Sequence, residues 1–423
     1  MEGSGQPLRY PVHTCLRTAA CITIALAGCP GQAAQAQYTY TELHTFTSPD
    51  GLNPFGNLLR DASGNLYGTT NAGGTNSNGT IWKYSNTGSF GVLYNFDATS
   101  GSSSRSAVTT DSAGNLYAAT AATAAGAASG VGAFVKLNSD GSLNQVYALD
   151  SAVASYPGGA PAVDAAGNMF GAAWTNDGGS NGNVFKITPG GAQSIEVDFN
   201  AVNAVGGMSL VIHNGVLYGT SAYGGIGNGN VFKVDDTGYH DIYDFTDGGQ
   251  PTSPISFDAA GNLYGTTLAG GPSGSGQLFE ITAGGTFKKL WDFTGTTDGY
   301  EPYNGVVADA SGNLFGTTIS GGDNPSPDGV VYEYSNNGVF SVLHTFHNIP
   351  GESTELYGGV VLDGSGNLFG TLTYTNGPTA GGALFELSYT APIGTPEPGS
   401  TALALVTGCF AVGGVIRRKR AKK

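Results

Sequence analysis

Asp61-Ala-Ser-Gly-Asn-Leu-Tyr-Gly-Thr-Thr70 is the stretch that decides the fold, because the 423-residue chain repeats it in recognisable form seven times. The glycine before each Asn-Leu-Tyr-like triplet recurs every 46 to 54 residues. Its positions are Gly64, Gly114, Gly167, Gly215, Gly261, Gly312 and Gly366. A period of this length indicates that each copy is one supersecondary unit of a repeat architecture.

Each period contains four short strand-like runs, labelled a, b, c and d in chain order. In the fourth copy they are 206–212, 215–221, 229–234 and 240–245. Adjacent apolar pairs such as Leu217-Tyr218 and Val231-Phe232 indicate that both faces of each small sheet are buried. The pattern therefore predicts an all-β fold: a seven-bladed β-propeller with four antiparallel strands per blade.

The two ends of the repeat region predict how the ring closes. The first run, 40–46, matches d strands such as 92–96 and 342–346, and the last run, 383–387, matches the c strands. Seven complete blades result only if the N-terminal strand supplies the d strand of the last blade. Such a clasp removes the open sheet edge that would invite aggregation.

The Asp-x-x-Gly segment between strands a and b is typical of a tight hairpin. Aspartate can accept hydrogen bonds from its own turn amides, and glycine takes the left-handed conformation. A calcium loop is the competing interpretation, but the segment supplies far fewer oxygens than the six to eight that calcium prefers. No two histidines show metal-ligand spacing, and no phosphate loop or nucleophile elbow occurs. We therefore expect neither a metal nor a cofactor.

Residues 1–36 have the layout of an export signal peptide. Arg9 and Arg17 supply its positive region, 18–28 its apolar core, and Ala34-Gln-Ala36 a cleavage site. Leu26-Ala-Gly-Cys29 leaves a second interpretation open, in which Cys29 is the lipidated first residue of a lipoprotein.

The C-terminal segment, 395–423, has three parts. Pro396-Glu397-Pro398 is followed by an apolar stretch at 401–416 and by the basic cluster Arg417, Arg418, Lys419 and Arg420. Sixteen residues are fewer than the roughly 20 that span a bilayer. The layout resembles the PEP-CTERM sorting signal of Gram-negative bacteria. That resemblance implies cutting by an exosortase-type enzyme after transient membrane contact; a permanent anchor is the alternative.

The body, 37–394, differs in composition from both ends. All four cysteines lie outside it, so it holds no disulfide and no thiolate metal site. It carries eight basic against 29 acidic residues, a net charge of about −21. Such a charge argues against nucleic acid as a partner.

Residues 40–390 resemble the GloVer tandem repeat of "choice-of-anchor" bacterial surface proteins. The resemblance rests on the Asp-x-x-Gly-Asn-Leu-Tyr-Gly-Thr-Thr motif and on the Gly-x-Val-Phe-Lys run of strand c. Two copies depart from it, at Ala118-Ala-Thr120 and at Ile212-His-Asn-Gly215. Together with the PEP-CTERM-like tail, the resemblance implies display at the cell surface or in the extracellular matrix of a Gram-negative bacterium; the repeat family itself implies no reaction.

The long loops all belong to one rim of the predicted ring, formed by the b-to-c and d-to-a connections. Two of these loops bring carboxylates close to tyrosines, which together can grip sugar rings and hydroxyls. The candidate ligand-binding residues are Asp298, Tyr300, Glu301, Tyr303, Glu352, Glu355 and Tyr357. We therefore expect a non-catalytic binding or structural module whose partner is an extracellular polysaccharide. A glycoside hydrolase or lyase, with paired carboxylates as acid and base, is the alternative.

Overall fold

The computed structural model describes residues 37–121, 131–175, 181–202, 204–225, 227–322, 327–347, 353–375 and 381–390. Residues Gln37–Ala391 form one compact unit. The signal segment 1–36 with Cys29, and the sorting motif from Pro396 to Arg420, lie outside the described residues.

Nearly all regular structure is β-strand. The first half of the chain contains β1 (Gln37–Thr45), β2 (Leu52–Pro54), β3 (Leu59–Arg60), β4 (Leu66–Ala72), β5 (Thr80–Tyr84), β6 (Phe90–Asn95), β7 (Thr109–Thr110), β8 (Leu116–Thr120), β9 (Ala133–Leu137), β10 (Leu143–Ala148), β11 (Ser155–Pro157), β12 (Ala162–Val163), β13 (Met169–Thr175), β14 (Asn183–Ile187), β15 (Gln193–Asp198) and the short helix α1 (Phe199–Val202). The second half contains β16 (Ala204–His213), β17 (Val216–Gly224), β18 (Asn230–Asp235), β19 (Gly238–Asp244), β20 (Ser256–Phe257), β21 (Leu263–Thr267), β22 (Gln277–Ile281), β23 (Phe287–Asp292), β24 (Val307–Ala308), β25 (Leu314–Thr317), β26 (Pro327–Tyr334), β27 (Phe340–His347), β28 (Ser353–Thr354), β29 (Val361–Leu362), β30 (Leu368–Leu372), β31 (Tyr374–Thr375) and β32 (Ala383–Thr390). Within the described part of the chain, no helix is long and apolar enough to cross a membrane.

The strands form seven antiparallel blades, as the repeat predicts. Blades 1 to 6 follow chain order, from β2-β3-β4-β5-β6 to β24-β25-β26-β27. Blade 7 has the order β29-β30-β32-β1, so the N-terminal strand completes it, with Tyr40 opposite Leu387 and His44 opposite Leu384. The predicted clasp is confirmed.

The Asp-x-x-Gly segments are tight hairpins held by their aspartates. Asp61 accepts hydrogen bonds from the amides of Ser63 and Asn65, from the Asn65 side chain and from the Tyr67 hydroxyl, all at 2.7–3.0 Å. Burial alone would raise the pKa of Asp61, but these donors outweigh it and hold the pKa below its usual value. Blade 4 lacks the aspartate and turns on Asn214 and Gly215, both with positive φ, which is the two-residue hairpin solution.

The first residue of each Gly-Thr-Thr triplet makes room for an aromatic ring on strand c. Gly68 lies opposite Trp82, and a Cβ at Gly68 would fall 2.5 Å from the ring. Blade 2 carries Ala118 at this position, and there the opposite residue is Val135. The departure in the second copy is therefore matched by a smaller partner.

From blade 4 round to blade 1, the outer strands of neighbouring blades are joined by stacked rings. Tyr243, near the end of β19, packs on Phe287, the first residue of β23, with ring centroids 4.0 Å apart. The clasp strand makes this contact on both sides: Tyr40 stacks on His344 at 5.1 Å, and His44 on Phe90 at 3.7 Å.

The inner strands are broken near the loop rim, and this break positions the candidate site. In blade 1, β2 and β3 both pair with β4, while the residues between them bulge out of the ladder. Pro54 lies at the break, and proline has no N–H to continue a ladder. Among the inner strands that the structure describes, β16 alone runs through this region as one long strand.

Candidate ligand-binding site

The bulges of the inner strands bring together equivalent residues from different blades. Each bulge begins at a residue with positive φ, such as Asn53 or Glu301. The residue two positions later is the equivalent one. In blade order these residues are Phe55, Arg105, Gly158, Thr252, Tyr303 and Tyr357, from every blade except the fourth.

A cavity of about 620 Å³ opens among these bulges. One side of it is lined by Tyr303, Tyr357, Phe55 and Arg105, which come in that order from the consecutive blades 6, 7, 1 and 2. The small residues Gly158 and Thr252 line the other side, together with Trp174 and Leu210. The channel mouth is therefore asymmetric, with large planar groups facing open space.

Phe55 is the centre of this planar group, which we call the Phe55 cluster. Its ring stacks on Tyr357 with centroids 4.4 Å apart and meets Tyr303 edge-on at 6.4 Å. The Arg105 guanidinium carbon lies 5.0 Å from the Phe55 centroid, within cation–π distance. The three rings are half-buried and Arg105 is exposed, so the cluster is held in place but still accessible.

The Gly-Thr-Thr repeat helps to hold these bulges. Thr69 donates its hydroxyl proton to the Ser106 carbonyl oxygen of the next blade at 2.7 Å. Thr266 donates to the carbonyl oxygens of Pro302 and Asn304 at 2.9 and 2.8 Å. The repeated threonine thus braces the segments that carry Arg105 and Tyr303.

Two asparagine side chains fix the bulge of blade 7 from both neighbours. The Asn304 side chain donates to the Tyr357 carbonyl oxygen. Asn57 accepts a hydrogen bond from the Gly359 amide at 2.6 Å. Tyr357 is consequently positioned by blades 6 and 1 as well as by its own chain.

The tyrosines of the Phe55 cluster are held protonated. Burial, reinforced by the charge of Glu355, a hydrogen bond to Glu355 and the charge of Glu301, raises the pKa of Tyr357. Burial also raises the pKa of Tyr303, with the Arg105 charge acting in the opposite direction. Both hydroxyls therefore remain neutral hydrogen-bonding groups near neutral pH.

The carboxylates expected from the sequence occupy different environments. Asp298 is only 6% exposed and accepts hydrogen bonds from the Trp291 indole at 3.2 Å and from the Thr294 amide at 3.0 Å. Glu301 and Glu355 are the positive-φ residues that begin the bulges of blades 6 and 7.

The remaining expected residues divide between the site and the parts outside it. Tyr303 and Tyr357 belong to the Phe55 cluster. Tyr300 forms a backbone bridge with Ser320 beside the Tyr303 bulge. Glu352 lies outside the described residues.

Sequence reasoning missed Phe55 and Arg105. Both occupy the same repeat position as Tyr303 and Tyr357, two residues after the start of the bulge. Aligning the d-to-a loops on that register would have found them. The described loop side also exposes Tyr156, at 49%, and Tyr223 and Tyr374, each at 43%.

The fold and this pocket define a closed seven-bladed propeller with a ligand-sized cavity at its channel mouth. The sequence profile of the Gloeobacter/Verrucomicrobia repeat matches residues 32–185 and 206–395. The chain therefore belongs to that repeat family. No curated protein matches it.

Solved structures share the fold at low sequence identity. An extracellular domain assigned to a one-component system of B. thetaiotaomicron is 11% identical over 82% of this chain, with a TM-score of 0.51. One assigned to a hybrid two-component system of the same organism is 10% identical over 84%, with a TM-score of 0.52. This chain spans 39% and 40% of those two chains. A gluconolactonase from Xanthomonas campestris is 14% identical over 85% of this chain and 92% of its own, with a TM-score of 0.43. These likenesses are to the propeller fold alone.

Proposed function

We propose that this protein is a non-catalytic carbohydrate-binding propeller, exported to the cell surface or the extracellular matrix, that holds a polysaccharide at its channel mouth. The observation that carries the proposal is the Phe55 cluster beside a 620 Å³ cavity. Ligand sites are typically concave, largely apolar and equipped with a few convergent polar groups. A sugar ring matches this combination because it presents an apolar C–H face and a polar edge.

Each part of the site has a role in this proposal. The rings of Phe55, Tyr303 and Tyr357 receive the apolar faces of sugars. Glu301 and Glu355, close enough to influence the Tyr357 hydroxyl, accept hydrogen bonds from sugar hydroxyls. Asp298 orders its own loop, since its carboxylate is already occupied by Trp291 and Thr294.

Calorimetric titration of residues 37–391 with the exopolysaccharide of the producing bacterium tests the proposal. Phe55→Ala should weaken binding about tenfold or more, as truncation of a central aromatic anchor does. Tyr389→Ala is the matched control, because Tyr389 is 37% exposed but lies beside the Asn367 turn on the opposite rim. Binding that is unaffected by Phe55→Ala would contradict the proposal.

Incubating the same protein with the same exopolysaccharide distinguishes a binding module from a glycoside hydrolase or lyase. A binding module retains the polymer at constant length. An enzyme would release oligosaccharides, and Glu301→Gln would abolish the release.

We also propose that the two ends act as addresses, with 1–36 removed on export and 395–423 cut by an exosortase-type enzyme after transient membrane contact. Intact-mass analysis of surface fractions tests this. A mature chain that still ends at Lys423 would contradict processing, and a diacylated Cys29 would favour the lipoprotein alternative.

A further inference from the structure

We propose that the polysaccharide is acidic and that Arg105 binds the carboxylate of a uronic-acid residue. This inference rests on the proposed carbohydrate-binding function and adds the charge of the ligand to it. It is carried by the position of Arg105 in the cavity and by the state of its guanidinium.

Arg105 is an exposed cation with no ion pair or hydrogen bond to any side chain in the described ranges. Within the described ranges its one cation–π contact is with the face of Phe55, 5.0 Å away, and its charge also acts on Tyr303. Contact with a ring consumes none of the five guanidinium N–H donors. The group can therefore form a bidentate pair with a carboxylate while it remains stacked.

Every lysine among the described residues is engaged within its own blade. Lys233, Lys288 and Lys289 pair with carboxylates at 2.6–3.1 Å. The remaining lysines, Lys83, Lys136 and Lys186, each lie over an aromatic ring of the adjoining b strand. In a body with 29 acidic residues, a guanidinium without a carboxylate at a cavity mouth is available for an acidic ligand.

The net negative charge of the molecule means that an acidic sugar must be recognised by a group in direct contact with it. A net charge of about −21 gives no general attraction for a polyanion, and screening confines charge effects to about 10 Å at 0.1 M salt. A preference for an acidic sugar must therefore come from Arg105 itself. Glu301 and Glu355, whose charges raise the pKa of Tyr357, favour sugar hydroxyls at their end of the cavity. The ligand is therefore oriented with its carboxylate at Arg105.

The test compares oligogalacturonate with its fully methyl-esterified form, which has the same backbone without the charge. We expect wild type to bind the acid about tenfold or more tightly than the ester, the range of a charged hydrogen-bonded pair. Arg105→Gln should remove that difference, so that the variant binds the acid and the ester equally. Arg105→Lys should retain only part of it, because an ammonium group cannot form the bidentate pair.

Each other outcome has a defined meaning. Equal binding of acid and ester by wild type, still sensitive to Phe55→Ala, overturns the carboxylate inference and leaves the carbohydrate-binding function standing. An acid preference that survives Arg105→Gln assigns recognition to another group and also overturns it. Failure of wild type to bind either oligosaccharide overturns the uronate inference, and the exopolysaccharide titration then judges the proposed function separately. Thermal unfolding of each variant verifies folding.

Discussion

Gly68 packs against the ring of Trp82 on the opposite strand, and each blade has a corresponding pair of residues. The glycine does not serve a turn here; it leaves space for the ring on the opposite strand. Blade 2 shows the alternative solution, Ala118 with Val135.

Gly68→Ala should therefore destabilise the protein by about 1–3 kcal/mol, the usual cost of overpacking. The same substitution made on a Trp82→Val background should cost less than 1 kcal/mol or stabilise, because the pair then copies blade 2. Ala118→Gly is the control for backbone effects and should lower the free energy of unfolding by about 0.5–1 kcal/mol. Urea unfolding of the four chains measures the coupling, and additive costs would contradict this account.

Neighbouring threonines in one repeat have different tasks. Thr266 braces the Tyr303 bulge of the next blade, whereas Thr267 donates to Ala269 in its own blade at 2.7 Å. Both are fully buried.

Thr266→Val and Thr267→Val should each lower stability by about 1–3 kcal/mol, because each leaves buried polar groups unpaired. Only Thr266→Val should also weaken polysaccharide binding, since it frees the segment that carries Tyr303. Parallel urea unfolding and titration check this. Equal binding losses in both variants would reduce the effect to general destabilisation.

At the scale of elements, the clasp strand β1 decides whether the ring stays closed. It supplies the outer strand of blade 7 and the stacked rings on both of its sides. Without it, β32 becomes an unpaired edge beside an exposed apolar surface.

A chain that begins at residue 47 should form oligomers or aggregate, and adding a peptide of residues 37–46 should restore part of the monomer. Light scattering after size exclusion measures both. A monomeric truncated chain with an unchanged melting temperature would show that the clasp is dispensable.

The clasp also predicts a pH dependence. Burial, with a smaller contribution from His347, lowers the pKa of His344 to about 4. Burial lowers the pKa of His44 as well, against the opposing effect of Asp50. Both histidines titrate near 6.5 when unfolded, so the unfolded state binds more protons below that pH. Their contribution to stability is complete above pH 6.5 and is lost as the pH falls towards 4.

His344→Phe keeps a planar ring against Tyr40 and should reduce the slope of unfolding free energy against pH between 6.5 and 4. His240→Phe is the control, because His240 lies near the start of β19, outside the clasp, and its side chain is 41% exposed. Urea unfolding at half-unit pH steps measures the slopes. An unchanged slope for His344→Phe would remove His344 from the explanation.

At the scale of the whole molecule, the fold was predictable and the site only in part. The seven-fold motif fixed the number of blades, the hairpins and the clasp, because each depends on local patterns that recur. Of the Phe55 cluster, the sequence indicated Tyr303 and Tyr357 but not Phe55 or Arg105, because the four residues come from four blades and meet only through bulges in the inner strands. Asp298 resembled a ligand-binding carboxylate, but sequence does not reveal that Trp291 and Thr294 occupy it.

Hydrogen–deuterium exchange of residues 37–391 with and without bound polysaccharide determines whether the channel mouth on the loop rim is the binding surface. We expect protection of the peptides that carry Phe55, Arg105, Tyr303 and Tyr357. We expect no change in the hairpins of Asp61 and Asp309 on the opposite rim. Protection confined to those hairpins or to the outer strands, with the four bulges unchanged, would contradict this assignment of the binding surface.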